Sequence, residues 1–109
     1  MTKEKELLLQ DLSARLPYGV KVKTNNINIL KLGTHTRVGE YVTDVIEPCK
    51  PYLFPLSSMT EKQEYQYREV IASSLNHYEV YDWLNRNHFD YRSLIPMGLA
   101  IDATNKNIY

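Results

Sequence analysis

Residues 48–55, PCKPYLFP, place three prolines in one short run and divide the chain into halves of different pattern. Proline fixes φ and has no N–H to donate, so this run reads as neither helix nor central strand. We expect an extended strap that lays Tyr52, Leu53 and Phe54 onto a core. Proline-rich segments also serve as ligands for other domains, but apolar and aromatic side chains like these fit a core better.

Upstream of the strap the pattern changes from helical to alternating. In residues 2–15, Leu8, Leu9 and Leu12, followed by Leu16, fall on one helical face. Thr2 is a candidate N-cap, Glu4 and Glu6 suit the positive end of the helix dipole, Arg15 suits the negative end, and Pro17 opposes continuation. Residues 20–24, VKVKT, alternate with period two, as a half-buried strand does. Asn25-Asn26 suits a tight turn, INILKL at 27–32 forms the return strand, and YVTDVI at 41–46 another, with 36–39 a short partner. The expectation is an antiparallel meander of three to four strands.

Downstream, the joints between helices are marked by capping signals. Ser58 with Glu61 and Thr60 with Gln63 make two overlapping capping boxes. The helix that follows carries Tyr67, Val70, Ile71 and Leu75 on one stripe. Asn76 caps a second helix that runs to about Asn87 and buries Val80, Trp83 and Leu84, with Leu75 and Val80 as its hydrophobic staple. Asp82 and Arg86 are spaced to pair on its wet face, and a protonated His88 would suit its end. Asp90, with Phe89 and Leu94 as staple, caps a short third helix that Gly98 ends, and residues 99–101 add an edge strand before the tail frays. The predicted fold is a single α+β domain over residues 1–109: an N-terminal helix, a small meander, a Pro-rich strap and two to three C-terminal helices.

Composition narrows function mainly by exclusion. Hydrophobic residues make up 43% and charged residues 24%, as in a globular rather than a disordered chain. Nine tyrosines supply rings with a polar tip, suited to a half-polar core or to a contact surface. The charged N-terminus with only three consecutive leucines does not read as a secretion signal, and no stretch is long enough to span a membrane. A cytoplasmic protein is expected, in the host cytoplasm if phage-encoded. One cysteine, Cys49, excludes an internal disulfide and a multi-cysteine metal site, and it lacks the surroundings of a nucleophile. The three histidines are scattered, against a zinc site, and four glycines at 19, 33, 39 and 98 make no phosphate loop. No cofactor and no enzymatic activity are expected.

Two binding readings stand. Residues 1–39 hold seven basic and three acidic residues, and residues 40–109 hold six and ten. Lys21, Lys23, Lys31 and Arg37 would form a basic hairpin that contacts nucleic acid. The second reading rests on YDWLNRNHFDYRSLI at 81–95, where caps and core positions account for most residues and leave His88, Tyr91 and Arg92, with the exposed Tyr65, to contact a protein partner. Self-association through an uncovered meander edge is also open.

Three stretches, DLSARLPYGVKVK at 11–23, KPYLFPLSSMTEKQEY at 50–65 and WLNRNHFDYRSLIPMGLAIDAT at 83–104, together resemble a family of short uncharacterised proteins of gut Bacteroidales and their phages and prophages. In that family a glycine often stands where this chain has Ser93, and a charged pair where it has Pro96-Met97. The resemblance implies a mobile-element or phage origin. The leading expectation is a non-enzymatic accessory protein of phage or prophage type that binds a host or phage macromolecule, and the alternative is a weak DNA- or RNA-binding protein that uses the basic hairpin.

Overall fold

The computed structural model describes residues 3–24, 27–33, 49–73 and 76–109. These residues form an α+β fold with three α-helices, α1 (Lys3–Arg15), α2 (Glu61–Ser73) and α3 (His77–Arg86). The sheet has five short strands, β1 (Lys21–Lys23), β2 (Leu30–Lys31), β3 (Lys50–Pro55), β4 (Phe89–Asp90) and β5 (Ile101–Asp102).

The proline-rich run is the centre of this sheet, which corrects the expectation of a strap. β3 pairs antiparallel with β1 through Pro51 and Lys50, parallel with β5 through Tyr52 and Leu53, and parallel with β4 through Phe54 and Pro55. Each partner uses only two residues of β3, so no long ladder crosses a proline. The prolines sit towards the ends, and the intervening amides remain free to donate, as Phe54 N–H does to the His88 carbonyl at 2.8 Å. The sheet is therefore mixed, in the order β2-β1-β3-β4, and not an antiparallel meander. The expected strands at 36–39 and 41–46, the Asn25-Asn26 turn, the Thr2 cap and the Leu75 staple residue lie outside the described residues. Thr24 N–H nonetheless donates to the Ile27 carbonyl at 2.9 Å and closes the β1–β2 hairpin.

α1 packs Leu8 and Leu12 onto Val20, Val22, Leu32 and Cys49. A second cluster joins Trp83, Leu84 and Phe89 to Tyr67 and Val70 of α2, with the Trp83 ring stacked on both Tyr67 and Phe89. Ile71, expected on the buried stripe of α2, is 49% exposed. At the start of α2 the Thr60–Gln63 capping box closes in both directions, while Ser58 Oγ donates to the Pro55 carbonyl and takes no part in capping. Asn76 caps α3 by accepting from Tyr78 N–H at 3.0 Å.

The third C-terminal helix does not form, and residues 94–98 make turns. Asp90 acts as a cap all the same, its two carboxylate oxygens accepting from Leu94 and Ile95 N–H, both at 2.9 Å. Gly98, at φ +76°, ends the turn by donating to Ile95 while Leu99 donates to Leu94, the bonding pattern of a Schellman motif. The tail does not fray either. Ala103 and Ile108 are buried against Tyr52, and Tyr109 Oη donates to the Tyr52 carbonyl at 2.8 Å.

Candidate functional site

The C-terminal half of α1 carries two fully buried charges, Asp11 and Arg15, one helical turn apart. Arg15 Nε donates to Asp11 Oδ2 at 2.9 Å, and its Nη2 reaches the Phe89 carbonyl at 2.6 Å. Arg92 Nη1 donates to the other Asp11 oxygen at 2.7 Å. One carboxylate thus serves two guanidinium groups, which leaves a positive excess, and Arg15 Nη1 is buried with no partner among the described residues. Both guanidinium groups lie over the Tyr91 ring, at 5.3 Å for Arg15 and 4.6 Å for Arg92. Tyr91 Oη donates to Asn85 Oδ1 at 2.9 Å, so the ring is pinned at its tip as well.

In front of this support lies an open groove of about 530 Å³, lined by Ala14, Tyr78, Tyr81, Asn85, Tyr91 and Arg92. Tyr78 is 82% exposed, and Tyr81 packs against Tyr91 with ring centroids 5.1 Å apart. A shallower depression of about 410 Å³ continues along α3 past Glu79 and Asp82. Asp82 accepts from Arg86 at 2.5 Å and from the Tyr18 hydroxyl. The groove offers aromatic faces, one cation and hydrogen-bonding tips, which is a recognition chemistry.

The residues expected to contact a protein separate into two groups. Tyr91 and Arg92 come together in the groove. Tyr65 stands exposed on α2, where a hydrogen bond to Glu69 of the same helix raises its phenol. His88 faces the tail, with its ring stacked on Tyr109 at 3.6 Å and its backbone at φ +61°. Burial first, then the charges of Arg15 and Lys21, lower its pKa to about 4, so it is neutral and cannot serve the helix end as a cation. Sequence reasoning missed Tyr78, Tyr81 and Asn85, although their spacing already places them on one helical face. It also missed the burial of Asp11 and Arg15, for which the local pattern carries no signal.

Of the residues expected to contact nucleic acid, Lys23 and Lys31 are exposed on one face of the sheet. Lys21 shares that face but is engaged, with Nζ donating to the Ile108 carbonyl at 2.6 Å beside the Tyr109 ring. Arg37 lies outside the described residues.

Cys49 is buried, and burial pushes its thiol up to about 11. Among the described residues no group of three or more His, Cys, Asp or Glu is placed to hold a metal ion, and no helix is long and apolar enough to cross a membrane. No family model, no curated protein and no solved structure matches the chain.

Proposed function

We propose that the protein is a non-enzymatic accessory protein, of the phage or prophage type that the sequence resemblance implies, and that it binds a protein partner through the tyrosine-lined groove. One observation carries the reading: Tyr91 and Arg92 are held from behind by Asp11 and Asn85 while the groove stays open in front. Tyrosine and arginine dominate binding energy at many interfaces, and side chains already fixed in place lose little entropy on docking. The positive excess behind the groove favours a partner segment that presents a carboxylate and an apolar or aromatic side chain to Arg92 and Tyr81.

Site-specific photocross-linking in cells tests this. A photoreactive residue at position 78 is expected to trap a discrete partner, and the same residue at position 65 is not. Arg92→Ala combined with the position-78 probe should abolish the adduct. Equal trapping at 65 and 78, or an adduct that Arg92→Ala leaves unchanged, would remove the groove from consideration.

A further inference from the structure

The strand register sets lysines against one another. Lys21 is directly opposite Lys31, and Lys23 is directly opposite Lys50. Cross-strand partners and residues two apart on a strand project to the same face, so all four ammonium-bearing chains rise from one side of the sheet. Like charges set directly opposite each other weaken a sheet, and here two such pairs are adjacent. No acidic side chain pairs with Lys23, Lys31 or Lys50 among the described residues. α1 packs on the other side of β1, at Val22, and on the lysine side the tail covers the sheet only at Tyr52, where Lys21 holds it, so Lys23, Lys31 and Lys50 stay exposed. Neighbouring strands are about 4.8 Å apart and alternate residues about 6.6 Å apart, so the lysines present a closely spaced cationic lattice.

We infer that this face binds the phosphodiester backbone of a nucleic acid, with Lys23, Lys31 and Lys50 as the contacting residues and Lys21 as a positioning residue. Lys21 anchors the tail through the Ile108 carbonyl, and its Nζ is not free to reach outward. Lys50 enters only through the register, because in the sequence it belongs to the proline-rich run. Lysine contacts to phosphate carry no base information, so binding is expected to be independent of sequence and steeply dependent on salt. The site shares no residue with the tyrosine groove.

Fluorescence anisotropy of labelled single- and double-stranded oligonucleotides tests the inference. Three phosphate contacts predict a log–log salt slope of about −2 for single strands and about −3 for duplex, so raising salt from about 50 to about 200 mM should weaken binding roughly 20- to 40-fold. The triple variant Lys23→Gln, Lys31→Gln, Lys50→Gln should lose at least about tenfold affinity at low salt and most of the slope. Its circular dichroism and melting temperature should be preserved or improved, since the repulsion is removed. A control triple, Lys3→Gln, Lys62→Gln, Lys106→Gln, removes the same charge elsewhere and should bind as the unaltered protein does. Equal loss in both triples reduces the effect to net charge and overturns the site. Absence of binding at low salt overturns it too, as does binding to phosphatidylserine-containing vesicles without binding to either oligonucleotide.

Discussion

At the residue scale, His88 couples the fold to pH. Its folded pKa lies near 4, below the ordinary histidine value of 6.5, because burial and the charges of Arg15 and Lys21 oppose protonation. The unfolded chain therefore takes up a proton first as pH falls. Stability that is fully present above pH 6.5 is lost as the pH drops towards about 4. His88 is half-buried, and solvent screening holds the expected loss to about 1–2 kcal/mol. Denaturant unfolding at pH 7 and pH 5 should show this drop in the unaltered protein, and His88→Asn, which tolerates the left-handed backbone, should flatten it.

The Asp11 carboxylate is the other residue on which much depends. Asp11→Asn leaves two guanidinium groups without their anion, and removing one partner of a buried ion pair costs about 3–5 kcal/mol. Asp82→Asn, at the exposed pair with Arg86, should cost less than about 1 kcal/mol. Urea midpoints of the two variants give the comparison, and similar values would mean that Asp11 is far better solvated than its position indicates. Ser93 sits at φ +60°, a region that glycine occupies without strain. Ser93→Gly should raise stability by roughly 0.5–1 kcal/mol in the same assay.

At the element scale, the turn after β4 shows how a capping residue can be recognisable without a helix behind it. Asp90 is buried and takes two backbone N–H groups. Asp90→Ala would strand both donors, at a cost of about 2–3 kcal/mol, above the roughly 1 kcal/mol of an ordinary exposed cap. A loss near the smaller figure in thermal or denaturant unfolding would mean that water reaches those amides. The capping signals of α2 and α3 were legible because Thr60 with Gln63, and Asn76 with Tyr78, act within three residues of each other. The strand in PCKPYLFP was not legible. The rule against proline in a central strand assumes one partner along the whole strand, and β3 instead takes three partners in succession.

At the scale of the whole molecule, the zero net charge conceals surfaces of different chemistry. The aromatic groove faces out beside α3, and the lysine lattice lies on the β2-β1-β3 part of the sheet. The tail ties the lysine face to the core, because Lys21 Nζ and the Tyr52 carbonyl both bind residues 108–109. Ile108→Ala should therefore cost about 2–4 kcal/mol as a core truncation, measurable as a lowered denaturation midpoint. A change under about 0.5 kcal/mol, typical of surface substitutions, would show that the tail is dispensable.

The sequence by itself determined the α+β class and the caps that begin α2 and α3. Each of those depends on periodicity or on hydrogen bonds between near neighbours. Only the tertiary structure decided the rest. Arg15 is buried because it meets the Phe89 carbonyl 74 residues away, and Arg92 meets Asp11 across 81. Lys50 opposes Lys23 because β3 pairs with β1 in one register. The groove exists because α1, α3 and the segment after β4 converge on Tyr91. Burial, register and convergence are properties of pairs distant in the chain, and no local pattern encodes which distant partner a residue will find.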